Sequence, residues 1–368
     1  MALRAGIVGC GDVATRTYFP GFAPDLARGG LAIGLVFDPL AERAAYAASL
    51  FPGAKAVTDF NEFLTAAQSD GIDLAINLGP MPVHYETNTA LLSAGLHVFT
   101  EKTLAATVEE SQKLIALAKS VNRQFMSAPA VMATNRMRWL KRVIASGKLG
   151  RPTLAIAQQA NMGPHAWRQY TGDPRVHYSA AVGPMIDTGV YALHGVTGLL
   201  GPAKRVQAVG GISIPERTIL VDRYLGEKIQ VKANDHMLIH LEFGDNTFAQ
   251  VLSSFATPRT KQPALELHCS KGSVSISSGD WYSANGPADF LFIDETPLGI
   301  EGWQTAAPPL ASPNTNLIAC GVAHMVGVLE GTEEPILTAA HACHVLEIML
   351  SALESAKTGD AIDLKTTF

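Results

Sequence analysis

Leu3-Arg4-Ala5-Gly6-Ile7-Val8-Gly9-Cys10-Gly11-Asp12-Val13-Ala14 is the stretch whose reading decides the fold. Leu3 to Val8 is too uniformly apolar to keep one face in water, which is the pattern of a strand buried in a parallel sheet. It runs directly into G-x-G-x-x-A. Gly9 permits a tight turn, Gly11 lets a ligand approach the backbone, and Ala14 is small enough for a helix to pack closely on the strand. The helix N-terminus that follows offers N–H groups to a dinucleotide pyrophosphate, so Gly9, Gly11, Asp12, Val13 and Ala14 are candidate cofactor-binding residues. A glycine turn that serves packing alone is the plainer alternative.

Outward from this turn, short apolar runs alternate with segments of helical period, as in a parallel sheet covered by helices. The runs are Leu31 to Phe37, Leu74 to Asn77, His97 to Phe99 and Phe125 to Ser127. Thr107 and Glu110 form a capping box ahead of Leu114, Ile115, Leu117 and Ala118, which predicts a helix burying that stripe. The second run ends at Asp38-Pro39, 24 positions beyond Ala14. A carboxylate there can accept from both ribose hydroxyls of an adenosine and repel a 2′-phosphate, favouring NAD over NADP, with Arg43 nearby able to soften the discrimination. Asp38 also reads as an ordinary turn aspartate before proline.

A helix is expected from Asn135 to Ser146, ended by Ser-Gly-Lys-Leu-Gly-Arg-Pro and followed by the strand-like Thr153 to Gln159. This places a Rossmann-type α/β domain over 1–127 and a second domain over 128–368. In the latter, Met237, Ile239, Leu241 and Phe243 alternate, Gly-Asp-Asn turns the chain, and Thr247 to Phe255 returns antiparallel. The expected class is α+β with a mainly antiparallel sheet. Thr338 to Lys357 reads as a long helix and Ser277 to Pro313, rich in Gly and Pro, as irregular connections.

A chain of 368 residues has room for two cores, and 47% hydrophobic with 17% charged residues is an ordinary globular composition. A net charge of -5 without a basic cluster argues against a nucleic-acid partner. The scattered cysteines Cys10, Cys269, Cys320 and Cys343 fit reduced packing residues. The start of the chain shows no signal-peptide pattern, and no apolar run reaches membrane-spanning length, so no membrane partner and a cytoplasmic location are expected. The eleven histidines show no metal-ligand spacing, and no metal is expected.

With Asn77-Leu78-Gly79-Pro80, His84, Ala94-Gly95-Leu96-His97-Val98-Phe99-Thr100-Glu101-Lys102 and Gly183-Pro184-Met185-Ile186-Asp187-Thr188-Gly189, the chain resembles the Gfo/Idh/MocA oxidoreductase family over nearly its whole length. The resemblance implies a Rossmann domain joined to an α+β domain with a large open sheet. It also implies a homo-oligomer (dimer or tetramer) assembled through that sheet, NAD as cofactor, and oxidation or reduction of carbohydrates, cyclitols and related alcohols. It further implies that Asn77, Pro80, His84 and Glu101 line the cofactor, and that Lys102 sits by the nicotinamide and the reacting hydroxyl. Asp187 matches the carboxylate of the second-domain motif.

Two departures from the family pattern stand out. Thr103 replaces the usual proline after Glu-Lys, so the backbone there is expected to differ from the common cis turn. Tyr191 stands where many members carry histidine, although some dihydrodiol dehydrogenases and glucose-fructose oxidoreductases of the family use tyrosine. Lys102, Tyr191 and Asp187 are therefore the catalytic candidates, since hydride leaves a carbinol only as its hydroxyl proton is removed.

A helix from Pro184 to Gly201-Pro202 would set Asp187, Tyr191 and His194 on one face, so His194 joins the substrate candidates, although a lone histidine at this spacing is as readily structural. The segment His165 to Tyr178 gathers Trp167, Arg168, Tyr170, Arg175, His177 and Tyr178, whose rings and polar tips suit a sugar or simply pack the loop. Gln158, Gln159 and Asn161 are lesser candidates. Two other readings stay open: an enzyme that retains NAD and cleaves glycosides by transient oxidation and elimination, and a non-catalytic NAD-binding regulator.

Overall fold

A computed structural model describes residues 2–277, 280–293, 302–311, 313 and 316–368, with residue 280 described by its backbone only. The chain forms two compact units, the first of Met1–Ala133 with Pro313–Leu346, the second of Thr134–Ser312 with Glu347–Phe368.

In the first unit, β1 (Leu3–Val8), β2 (Leu31–Phe37), β3 (Lys55–Val57), β4 (Leu74–Asn77), β5 (His97–Thr100) and β6 (Phe125–Ser127) form one sheet in the order β3-β2-β1-β4-β5-β6. Every pairing is parallel. The strand order reverses beside β1, which creates the crevice where α/β sheets receive ligands, at the C-terminal ends of the strands. The expected capping box is present: Thr107 Oγ1 accepts from Glu110 N at 3.1 Å and Glu110 Oε2 accepts from Thr107 N at 3.1 Å. The helix Val108–Ser120 buries Leu114 and Ala118 in the sheet core with Leu91, Leu92, Leu96 and Val98.

A single cut after residue 127 assigns Pro313–Leu346 to the second domain, whereas packing groups this segment with the first unit. The reason is close helix contact. A Cβ built at Gly321, on the helix Leu317–Leu329, would lie 2.5 Å from the Phe99 ring, and Gly21 meets Ala319 in the same way. Met126 also forms an isolated bridge with Thr338.

Among the described residues the second unit holds a sheet of nine strands, and its strands in chain order are β7 (Pro152–Ala160), β8 (Arg205–Gly211), β9 (Glu216–Thr218) and β10 (Lys228–Gln230), which pair apart from that sheet, β11 (His236–Gly244), β12 (Thr247–Ser254), β13 (Leu265–Cys269), β14 (Gly272–Ile276), β15 (Ala288–Phe292), β16 (Gln304–Ala306) and β17 (Ile362–Asp363). Its order is β16-β15-β14-β13-β7-β12-β11-β8-β17, antiparallel except between β7 and β12. Met237, Ile239, Leu241 and Phe243 are buried as their alternation requires. The strands β15 and β16 lie inside Ser277–Pro313, which sequence assigns to irregular connections. Their few residues complete an edge, β15 pairing with β14 and β16 with β15, a non-local gain that local Gly and Pro content cannot report. Within that stretch, 278–279, 294–301 and 312 lie outside the described residues.

The inner face of the sheet carries the helix Val190–Leu200, buried at every position from Val190 to Leu199. Small residues allow the approach. A Cβ at Gly189 would lie 2.5 Å from Ser253 Oγ, and Gly195 meets the ring of Trp281, itself fully buried and donating Nε1–H to Gln158 O at 2.8 Å. The opposite face exposes Val209, Phe248 and Leu154, at 60%, 45% and 36%. Among the described residues no helix is long and apolar enough to cross a membrane, and no group of three or more His, Cys, Asp or Glu could hold a metal ion.

Candidate active site

The glycine turn after β1 is built as its sequence requires. Gly9 has φ +91°, and a Cβ there would lie 2.8 Å from Gly79 N and 2.9 Å from the Leu78 carbonyl carbon, so only glycine fits. Gly11 is different: its missing Cβ would face open space, with Arg43 Nη1 the nearest group at 4.0 Å. A phosphate can therefore approach the backbone at Gly11, at the start of the helix that contains Val13 and the fully buried Ala14. Asp12 accepts from Arg16 Nε at 2.8 Å one turn along.

Asp38 has the turn role that one of its two sequence readings gives it. Its Oδ2 accepts from Cys10 N and its Oδ1 from Leu40 N, each at 2.9 Å, so the carboxylate clamps the glycine turn to the end of β2. Each oxygen keeps a second lone pair for a ribose hydroxyl. Burial, then the Asp38 charge, push the Cys10 thiol up to about 12 against the opposing pull of Arg43, so Cys10 is a neutral packing residue. Gly11's open face and this buried carboxylate at the second strand fit an NAD pyrophosphate and adenosine ribose.

The residues that follow β4 and β5 form a braced set of turns. Asn77 Nδ2 donates to Asn88 Oδ1 at 2.8 Å, and Gly79 N donates to Asn77 Oδ1 at 3.1 Å. Pro80 leads into the short turn Met81–Val83. His84 is fully buried, with Nδ1 2.6 Å from Thr103 O and Nε2 2.9 Å from Gly79 O, so one ring joins the two loops. Glu101 Oε1 accepts from Tyr18 Oη at 2.7 Å, and its Oε2 accepts from Lys102 N at 2.9 Å. The Lys102–Thr103 peptide is cis, which corrects the expectation that threonine would change the backbone here. Thr103 is instead fixed through its own groups, its carbonyl at His84 and its hydroxyl donating to Ala105 O at 2.8 Å.

In the second unit, Asp187 lies in a wide-turn segment, Met185–Gly189, that opens into the regular helix carrying Tyr191 and His194. The even spacing expected of Asp187, Tyr191 and His194 is therefore altered at its start, a deviation frequent at functional sites. Because that helix is buried on all sides, position on one helical face does not by itself define a ligand surface. Tyr191 and His194 are 7% and 4% exposed. Tyr191 packs against Tyr282, ring centroids 5.1 Å apart, and Tyr282 Oη accepts from Gln159 Nε2 at 3.2 Å. Burial first, and the charge of Asp187 second, raise the Tyr282 phenol above its ordinary value.

Asp187 has a further neighbour that the sequence did not single out: His177, whose Nδ1 lies 3.2 Å from Asp187 Oδ2. His177 belongs to the aromatic segment His165 to Tyr178, but only folding selects it from that group. Trp167 and Arg168 are exposed, with the Trp167 ring edge-on to Tyr170. Tyr282 gave no sequence signal, since it sits in the stretch read as irregular.

Residues 3–128 match the oxidoreductase family with NAD-binding Rossmann fold, and residues 137–275 match the GFO/IDH/MocA C-terminal domain. The chain is 26% identical over 243 residues to dTDP-3,4-didehydro-2,6-dideoxy-alpha-D-glucose 3-reductase of Streptomyces violaceoruber, spanning 62% of this chain and 66% of that relative. It is 22% identical over 377 aligned positions to 1,5-anhydro-D-fructose reductase of Ensifer adhaerens, covering 99% of each. In fold it is similar to a levoglucosan dehydrogenase solved with NADH and L-sorbose, at TM-score 0.82, 19% identity and 99% coverage of both chains. A second fold relative is the aldose-aldose oxidoreductase of Caulobacter crescentus, at TM-score 0.79, 19% identity and coverage of 99% of this chain and 100% of that one. The chain belongs to the Gfo/Idh/MocA family of oxidoreductases and carries that family's NAD-binding Rossmann domain.

Proposed function

We propose that the protein is an NAD-dependent dehydrogenase or reductase that interconverts a hydroxyl and a carbonyl on a carbohydrate or cyclitol. The observation that carries this reading is the polar cluster around Asp187. A carboxylate, an imidazole, two phenols and an amide (Asp187, His177, Tyr191, Tyr282 and Gln159) gather on one side of the second-unit sheet. Such a set can hydrogen-bond several hydroxyls of one small molecule, which is what a polyol demands of a site. The named substrates of the relatives, a dideoxy sugar nucleotide and an anhydro sugar, support the same class.

In this reading Gly9, Gly11, Asp12, Val13 and Ala14 take the pyrophosphate, and Asp38 with Arg43 takes the adenosine ribose. Asn77, Pro80, His84 and Glu101 shape and brace the nicotinamide side. Bound NAD supplies the hydride acceptor. Tyr191 takes the proton of the reacting hydroxyl, Lys102 stabilises phenolate and alkoxide character by its positive charge, and Asp187 orients the hydroxyl. Trp167, Arg168 and His194 complete the substrate contacts. A homo-oligomer formed through the open sheet face accompanies this reading. The experiment is a spectrophotometric screen of free sugars, sugar acids, cyclitols, glycosides and nucleotide sugars for NADH formation. Turnover with at least one polyol is expected, and turnover confined to non-polyol alcohols would refute the assignment.

A further inference from the structure

His177 stands between two hydroxyl-bearing or acidic side chains. Its Nδ1 is 3.2 Å from Asp187 Oδ2, close but off the hydrogen-bond line, and its Nε2 is 3.0 Å from Tyr170 Oη. The ring is held there by its neighbour in sequence. Tyr178 is 1% exposed, its hydroxyl lies 2.7 Å from His165 Nδ1, and the Arg217 guanidinium covers its ring at 5.4 Å. Arg217 is in turn paired with Asp235 at 2.6 Å. On the other side of His177, Asp173 caps the turn at Arg175 N and Arg175 pairs with Glu227 at 2.9 Å. The placement of His177 is thus built from both flanks. The line ends near water: the Asp187 and His177 side chains are 12% and 16% exposed, and the half-buried Tyr170 meets the edge of Trp167, which is 38% exposed.

We infer that Asp187, His177 and Tyr170 form the path by which the proton released in hydroxyl oxidation reaches solvent. The inference rests on the proposed oxidation, which frees one proton for each hydride transferred and frees it at buried groups. The proton enters the path at the Asp187 carboxylate, and Asp187 O–H passes it to His177 Nδ1. The proton on Nε2 leaves to the Tyr170 oxygen as the Tyr170 hydroxyl proton leaves to water. One proton enters and one departs, and no electrons move. The imidazole, partly open to water, then exchanges its ring protons and regains its starting tautomer. A rotation of the His177 ring closes the misaligned 3.2 Å step, in the manner of catalytic hydrogen bonds that tighten only with substrate bound.

The test uses the full chain with NAD and four probes: D-glucose, levoglucosan, myo-inositol and scyllo-inositol. His177→Ala should lower kcat at saturating substrate roughly tenfold or more and regain activity when free imidazole is added. Tyr170→Phe, which keeps the ring, should lower kcat severalfold with KM unchanged. Circular dichroism and NADH fluorescence titration establish that each variant is folded and binds cofactor. If His177→Ala is unfolded, Tyr170→Phe alone decides. Wild-type kcat in a folded His177→Ala protein, a loss that imidazole does not restore, or wild-type kcat in Tyr170→Phe overturns the path while the oxidoreductase reading stands. A wild-type protein inert toward these four and toward every sugar acid, glycoside and nucleotide sugar of the screen overturns the path together with the reading on which it rests.

Discussion

Tyr18 Oη donates a 2.7 Å hydrogen bond to Glu101 Oε1 across 83 positions of sequence, inside the first unit. Both groups are buried, and Glu101 Oε2 simultaneously accepts from Lys102 N, so the phenol, the carboxylate and the Lys102 backbone form one continuous support. Tyr18→Phe removes a donor from a buried carboxylate and should cost about 1–3 kcal/mol. Thermal unfolding followed by circular dichroism should show a Tm lower by roughly 2–8 °C, with kcat reduced through a looser Lys102. An unchanged Tm would show that water replaces the phenol at no cost.

Asp38 is predicted to set the cofactor preference. In the proposed binding mode its charge faces the 2′-phosphate that NADP would bring, so kcat/KM should favour NAD by roughly tenfold or more, about 1.4 kcal/mol. Asp38→Ser should narrow that ratio by relieving the repulsion, with some loss of stability because Cys10 N and Leu40 N lose their carboxylate. Steady-state kinetics with both cofactors measure it, and a tenfold preference for NADP in the wild type would reverse the assignment.

Lys102 and Tyr191 are predicted to act as the proton-transfer pair. Tyr191→Phe deletes only a hydroxyl and should lower kcat by roughly 10² or more with little change in fold. Lys102→Ala should be at least as damaging while NADH still binds. Near-wild-type kcat in Tyr191→Phe, alongside an inactive Lys102→Ala or His194→Ala, would move the proton acceptor elsewhere.

The pH dependence of stability should carry a signature of His165. Burial first, and the Arg217 charge second, lower its pKa from 6.5 to about 4. The folded protein holds this imidazole neutral while the unfolded chain protonates it, so the contribution is complete above about pH 6.5 and is lost as pH falls towards 4. His165→Gln should flatten the decline of Tm between pH 6.5 and 4 relative to wild type. A decline of equal steepness in both would remove His165 from the account.

The sheet face exposing Val209, Phe248 and Leu154 is expected to be covered by a second copy, giving a dimer or tetramer. Light scattering at micromolar concentration decides this. A monodisperse 39 kDa species would contradict it.

The sequence by itself determined the elements whose cause is local. The G-x-G-x-x-A turn, the strands from β1 to β6 apart from the short β3, the Thr107 capping box and the β11–β12 hairpin all follow from periodicity, capping and turn chemistry within a few residues. Family motifs named Glu101, Lys102 and Asp187 as site candidates. Only tertiary structure decided the rest, because its causes are contacts between residues far apart in sequence. The helix Leu317–Leu329 joins the first unit through the close approach of Gly321 to Phe99. β15 exists because β14 offers an edge to pair with, and β16 because β15 in turn offers one. His177 was one polar residue among many in an aromatic loop until Tyr178, held by His165 and Arg217, fixed it beside Asp187. Periodicity reports which face of an element is apolar, but which polar side chain meets which is set by the packing of whole elements against one another.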